Sequence, residues 1–478
     1  MRSNNSSLGN LAQIVAVAGL KVLILLAWAA GGTRQAIGSD YYVGGAGASD
    51  GNPGTASQPF ATIQKAASVA VAGDFVKIRA GTYRETITPA NSGTPGHPIT
   101  YQPDGKGVVT VSGADAADGG WTVYRGNVYQ KTIALPVTGY RERITGNATL
   151  LANQVFTTDS NSTDVTLEGL KAQYISHFVT VRGLSSHNQE TGLRLMGARS
   201  VIKNSIVEYS AGMGIVLGGA GAGADNNLVR DISYGGTYCC GIWPAPGRAR
   251  QAITRNTIYR TGRSGIDGVY SNKDIGYNDI YDFGLINTDL GAIYAANGAD
   301  LTGTRVHHNW LHDAKNDASH EFPVGAGIYF DQDAKPAQVD HNVFWNNHKN
   351  DVRLEQGSAP FHRIFNNTMA STEANFWFTF HSYPASSPTN SQNNICRASI
   401  KPNTPGSNEM TSGTDPRFVN VGEGGLKYRL KAMSPAIDRG AVITGVTDGH
   451  VGSAPDLGAY EYGGTDWVAG CSVSALSQ

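Results

Sequence analysis

Residues 253–293 read ITRNTIYRTGRSGIDGVYSNKDIGYNDIYDFGLINTDLGAI, and two short phrases occur twice within them. Asn256 is followed two positions later by Ile258, and Asn278 by Ile280. Gly265-Ile266 is echoed by Ala292-Ile293. Working outward, the first phrase recurs at Asn204/Ile206, Asn226/Leu228, Asn309/Leu311 and Asn342/Phe344, and in degenerate form at Asn366/Thr368. The second recurs at Gly214-Ile215, Gly241-Ile242 and Gly327-Ile328. The apolar runs are short and bounded by Gly, Asn and Asp, with no sustained helical period, which disfavours a helical solenoid. Short strands with one inward aliphatic each, repeating in the twenties and low thirties, describe a parallel β-solenoid with coils about 4.8 Å apart. Stacked aliphatics form its core, and the recurrent Asn stands at a turn where its amide can bond to the adjacent coil. A propeller would need longer strands and a tighter period.

Composition fits this reading. Of 478 residues 60 are Gly, 16% are charged and the formal net charge is −1. That is too polar for a membrane protein and too poor in charge for a disordered chain. Without Lys/Arg blocks, nucleic acid is excluded as the main partner. A neutral polymer such as a glycan remains open.

The ends depart from the repeat. Arg2 and Lys21 precede the apolar run Val22 to Ala30, and Ala27-Trp28-Ala29 offers a small-x-small cleavage pattern. Residues 1–36 therefore read as a signal peptide and leader of a secreted protein, with no stable membrane insertion after cleavage. Export would permit disulfides among Cys239, Cys240, Cys396 and Cys471, whose pairing spacing does not choose. Pro59 to Ala72 has helical composition with Ile63, Ala66 and Ala67 on one face, suited to covering the first coil. Residues 418–478 carry no coil phrase and read as a C-terminal capping segment, leaving 37–417 for the solenoid with its N-terminal cap.

The opening YYVGGAGASDGNPGTASQPFATIQKAASVAVAGDFVKIRAGTYRETI and the closing TDPRFVNVGEGGLKYRLKAMSPAIDRG with APDLGAYEY resemble the two ends of secreted proteins of the pectin-lyase-like superfamily. The resemblance implies an all-β, single-stranded right-handed parallel β-helix with a short N-terminal capping helix. It does not imply one reaction, because the superfamily holds lyases, hydrolases, epimerases and esterases.

Alternation along the strand of the second phrase sends Val216, Trp243, Asp267, Tyr294 and Tyr329 outward on successive coils. Such a file suits sugar rings, or forms an outer layer buried beneath loops. The next outward position gives Gly218, Ala245, Val269, Ala296 and Asp331. Val352-Arg353-Leu354-Glu355 aligns with Ile328-Tyr329-Phe330-Asp331, which puts Glu355 beside Asp331 at one coil spacing. Two carboxyl groups at about 5 to 5.5 Å are what a retaining glycosidase uses, and their proximity raises one pKa to make the acid. Asp289 in TDLGAIY, one coil below Asp331, is an equal candidate for partner, and a wider gap would favour inversion.

The stretch GIYFDQDAKPAQVDHNVFWNNHKNDVRLE resembles the catalytic coils of β-helical β-xylosidases, which implies Asp331 as nucleophile and Glu355 as acid/base. TDLGAIY followed by GIYFDQD is also similar to a β-helix family of fucosidases and xylanases, which implies Asp331 with Asp289. Trp243, Asp267, Tyr294, Tyr329, Asp333 and His308 complete the expected substrate-binding set. His307, His308, His312, His320, His341 and His348 crowd the same coils as rim or ladder residues, and Asp333 could equally begin a turn. No Cys/His spacing marks a metal site, no EF-hand or RTX loop marks Ca²⁺, and no cofactor is expected. The expectation is a secreted, monomeric glycoside hydrolase acting on a poly- or oligosaccharide. Its rivals are a lyase on an acidic glycan, with Lys273 as base, and a non-catalytic glycan-binding solenoid. The absence of any Asp-Asp pair weighs against the calcium-dependent lyases and the polygalacturonase type.

Overall fold

The computed structural model describes residues 38–113, 122–125, 128–130, 154–158, 162–175, 192–234, 238–246, 250–296, 298–315, 324–355, 362–371, 376–379, 390–397, 406–411 and 413–474. The signal peptide assigned to residues 1–36 and His320 lie outside them. The chain divides into a unit of residues 1–39 and a unit of residues 40–478, and the second carries the fold. No helix among the described residues is long and apolar enough to cross a membrane.

Residues 40–407 form a right-handed parallel β-helix of three faces. The first face is a 13-stranded sheet running from Asp40–Val43 to Gly406–Ser407, and the second is an 11-stranded sheet from Gly81–Tyr83 to Ile395–Cys396. The third consists of two four-stranded sheets, Gln154–Thr158 through Ile242–Pro244 and Leu290–Ala295 through Phe376–Thr379. Parallel bridges from Ile242 to Ile266 and from Ile266 to Ile293 join the two. Pairing among these strands is parallel throughout, and the hairpin of Thr122–Arg125 with Val128–Gln130 is antiparallel.

Each face contributes one inward file to the core. Ile253, Ile275, Val306, Val339 and Ile364 are register partners on the first face. Val207, Val229, Ile258, Ile280, Leu311, Phe344 and Met369 stack on the second. Ile215, Ile242, Ile266, Ile293, Ile328 and Val352 stack on the third. The glycines before Ile266 and Ile328 are sterically required: a Cβ on Gly265 would collide with the Ile280 side chain, and one on Gly327 with the Phe344 ring.

Asn ladders the corner between the first and second faces as expected, but in a corrected register. Nδ2 of Asn227, Asn256, Asn278, Asn309, Asn342 and Asn367 donates at 2.9–3.0 Å to Oδ1 of the Asn one coil on, ending at Asn394. Asn204, Asn226 and Asn366 instead occupy the preceding position of the same corner, with φ of 52°, 55° and 51°, a conformation Asn tolerates better than most residues. The Asn-Asn doublets at 226–227 and 366–367 concealed the difference, and a one-residue slip turns every side chain to the other side. The inward partners are therefore Val207, Val229 and Met369, not Ile206, Leu228 and Thr368.

The capping helix spans Ile63–Val69, shorter than the expected 59–72, and buries Ile63, Ala66 and Ala67 against the first coil. Thr62 accepts from Lys65 N, and the Glu85 carboxylate accepts from Ile63 and Gln64 N, satisfying the helix's open donors. Residues 418–474 run along the second face. Trp310, Val343, Trp345 and Ile395 pack there with Phe418, Tyr428, Leu457 and Tyr460. The segment continues to Ser472, whose N donates to Asn226 Oδ1 at 2.8 Å, so it straps several coils together. The four cysteines are thiols, and Cys239, Cys240 and Cys396 are buried.

Candidate functional site

The strands Leu290–Ala295, Gly325–Phe330 and Lys349–Glu355 lie side by side on the third face. Their register pairs Tyr294 with Tyr329 and Tyr329 with Arg353, and Ala295 with Phe330 and Phe330 with Leu354. Asp331 and Glu355 each follow the last of these partners, so the alignment inferred from sequence holds in the backbone. Asp331 is half-buried where its strand ends. Its Oδ2 accepts from the Tyr294 hydroxyl at 2.7 Å, and its Oδ1 from Gln332 N at 2.7 Å.

Glu355 accepts from Nε of Arg353 at 3.0 Å and is ion-paired with Nη2 of the same guanidinium. That guanidinium also lies 5.1 Å over the Tyr329 ring. Asp289 stands before Leu290 in the left-handed region at φ 58° and keeps solvent contact. Its carboxyl is raised above the ordinary range, first by the side chains that shed water from it and then by the charge of Asp331. Arg263 opposes this, and Glu355 adds to it. Asp289 and Asp331 likewise raise the Tyr329 hydroxyl beyond what burial does. The charges of Asp331 and Glu355 thus both act on the Asp289 carboxyl.

The expected sugar platform is corrected. Trp243, Asp267, Tyr294 and Tyr329 are 3%, 0%, 7% and 2% exposed, so no ring face lies open for stacking. Trp243 is sealed among Met213, Val216, Cys239, Cys240 and Ala245. Tyr294 and Tyr329 pack edge to face, centroids 5.2 Å apart, with Val324 and Ala326. Asp267 is ion-paired with Arg263, itself buried. Asp333 is exposed in the turn after Asp331, with φ of 59°.

His308 is not brought to the carboxylates. It occupies the corner between the first and second faces, stacked between Tyr277 and His341 at 4.8 Å from each and edged by Trp467. Burial there depresses its pKa to about 2. His308, Asp340 and His341 place one ligand-type atom each within 4.8 Å of one another. Asp340, however, is engaged by Arg305 through both oxygens at 2.8 and 2.7 Å, and the two imidazoles lie nearly parallel at 13°. Lone pairs in parallel rings do not converge on one ion, so these residues are built as a stack with an ion pair. Lys273 is buried on the first face, away from a base's position.

Two site residues escaped the sequence reading. Arg353 was detectable, since it holds the outward position aligned with Tyr329. Arg263 lies in a corner outside any strand and carries no positional signal.

No protein-family model matches the chain. A stretch of 106 residues is 36% identical to the uncharacterized protein YwoF of Bacillus subtilis (strain 168), covering 22% of this chain and 23% of that protein. Among solved structures, the pectate lyase Pel9A matches with a TM-score of 0.52 at 15% identity, covering 88% of this chain and 96% of that one, which shows a shared fold. XylC with xylose (TM-score 0.47, 16% identity, 78% and 69% covered) and a GH136 lacto-N-biosidase from Eubacterium ramulus (0.48, 13%, 79% and 68%) are more loosely similar. These structural neighbours are carbohydrate-active enzymes, both hydrolases and lyases.

Proposed function

We propose that the chain is a secreted glycoside hydrolase in which Asp289 is the general acid and Asp331 the nucleophile or general base. The observation that carries this is the placement of the two aspartates on adjacent coils of the third face. Asp289 is pushed toward its protonated form first by burial and then by the charge of Asp331, which itself accepts two hydrogen bonds. The glycosidic C–O bond breaks as Asp289 gives its proton to the departing oxygen. Asp331 either takes a proton from the attacking water or forms a glycosyl ester that water then hydrolyses. Glu355, tied to Arg353, supports this centre as a charged neighbour.

The same electrostatics support a substrate that is neutral where it is cut. The guanidiniums of Arg263 and Arg353 are both committed to carboxylates, so neither is left to pair with a uronate at the point of cleavage. The test is digestion of a broad panel of plant, algal and bacterial glycans by the wild type and by Asp331→Asn. Release of reducing sugar by the wild type, lost in the variant at unchanged melting temperature, is the expected result. Products absorbing in the ultraviolet as unsaturated uronates would make the chain a lyase. Binding without cleavage across the panel would make it a glycan-binding solenoid.

A further inference from the structure

Beneath the two aspartates lies a charged group that the hydrolytic scheme leaves unused. Arg263 is 2% exposed and ion-paired with Asp267, which is fully buried. Its guanidinium lies between two rings, 4.5 Å from the centroid of Tyr238 and 4.7 Å from that of Tyr294. Its Nη2 donates to the main-chain carbonyl of Asp289 at 3.3 Å. Tyr294, in turn, donates its hydroxyl to Asp331 Oδ2 at 2.7 Å. One buried cation therefore touches the backbone of one aspartate and, through a single ring, reaches the side chain of the other.

Burying an ion pair contributes little to stability compared with apolar residues of the same size, so stability alone does not account for Arg263 and Asp267 here. Their placement has a positional consequence. Asp289 is held in the left-handed region at φ 58°, and a donor on its carbonyl pins the turn that aims its carboxyl. Arg263 packed against the face of Tyr294 orients that ring, and with it the hydroxyl that reaches Asp331.

Resting on the glycosidase reading, we propose that Arg263 and Tyr294 are positioning residues for the two aspartates: Tyr294 holds the Asp331 side chain through its hydroxyl, and Arg263 holds the turn that aims Asp289 while packing on the Tyr294 ring. A hydroxyl donated to a carboxylate favours its charged form, so its loss makes that carboxyl easier to protonate. The remaining charged and titratable groups facing the pair are accounted for. Glu355 is neutralised by Arg353, Asp267 by Arg263, and Tyr329 stays protonated, raised by burial and by both aspartates.

The effect of this positioning can be read without any substrate. A water-soluble carbodiimide with an amine nucleophile labels protonated carboxyls, and tryptic cleavage after Lys273, Arg305, Lys315 and Lys349 puts Asp289 and Asp331 on separate peptides. In the full chain at about pH 5, above the ordinary Asp range, Asp289 should be labelled in preference to Asp331. Tyr294→Phe keeps the ring against Arg263 and removes only the donor. It should lower the Asp289:Asp331 labelling ratio about tenfold or more, in line with the loss of one hydrogen bond to a carboxylate, with an unchanged melting temperature. An unchanged ratio in the folded variant overturns the proposal. If the ratio moves but no glycan is cleaved, the positioning role stands and the glycosidase reading falls. If glycan is cleaved and the ratio does not move, the reverse holds.

Discussion

Along the third face, the stretch from Ile215–Leu217 to Ile242–Pro244 and the stretch from Leu290–Ala295 to Lys349–Glu355 share one strand geometry and one inward file of aliphatics. They differ in what the outward positions hold. In the first, Val216 and Trp243 close over Met213, Cys239 and Cys240, and the outward side becomes a second small core. In the second, Tyr294, Tyr329 and Arg353 form a packed floor whose hydroxyl and guanidinium groups end on Asp331 and Glu355. Between them stands Ile266, joined by single bridges, with the buried Arg263–Asp267 pair beside it. A β-helix coil is thus a neutral frame. Whether an outward slot becomes core or site depends on whether its polar groups can be held charged near water, which takes supporting donors one coil away.

The sharpest way to break the comparison is to remove the acid. Asp289→Asn should cut the rate of sugar release by about 10²- to 10⁴-fold while leaving the fold intact. It should also remove the alkaline limb of the pH–rate profile, because activity needs Asp289 protonated and is lost as pH rises through its elevated pKa. Glu355→Gln should leave that limb in place; if it alone abolishes the limb, the acid has been misassigned. On the apolar stretch, Trp243→Ala should cost about 3–5 kcal/mol in denaturant unfolding, through lost burial and a cavity. Per folded molecule its rate should be unchanged, and a selective loss of catalysis would return Trp243 to the substrate site.

The frame common to both stretches is probed at the ladder. Asn278 Oδ1 accepts from Asn256 N and Nδ2, and its Nδ2 donates to Ile253 O and Asn309 Oδ1. Asn278→Ala leaves those buried groups unpaired and should cost roughly 2–4 kcal/mol in urea unfolding, independent of pH.

The smallest effect lies on the flank, under the C-terminal strap. His308 has a pKa of about 2 in the fold against an ordinary value near 6.5. Between those values the unfolded chain binds the proton and the folded chain does not, so stability present above about pH 6.5 is lost as pH falls. By pH 5 the loss is about 1–2 kcal/mol. His308→Asn fits the corner, whose equivalents include Asn226 and Asn366, and should flatten this slope in unfolding measured from pH 7 to 5. His312, four residues on, is a contrasting case: it is clamped between Asp279 and Asp313, which raise its pKa despite burial.

Much of the site's layout was legible because a solenoid converts a sequence period into spatial adjacency. Aligning Ile293, Ile328 and Val352 sufficed to put Asp331 next to Glu355, with Asp289 at the foot of the preceding strand. Where the period was ambiguous, at the doublets Asn226-Asn227 and Asn366-Asn367, the register slipped by one, because both residues suit a corner and only the backbone decides which turns inward. His308 was misjudged for a related reason: crowding in sequence put it on the right coil, but its corner faces the strap.

The sequence by itself determined the fold class, two of the three stacked aliphatic files, the capping helix and the order of the carboxylates along the helix. Each of these follows from local period and from which coil is next. Only the tertiary structure decided what is exposed and which groups are paired. Trp243 and Asp267 vanish into packing, Arg263 links two aspartates from a corner with no repeat, and Trp467 covers His308 while Ser472 bonds to Asn226 from 246 residues away. Burial and protonation are sums over neighbours contributed by distant parts of the chain, and no repeat within the chain encodes those sums.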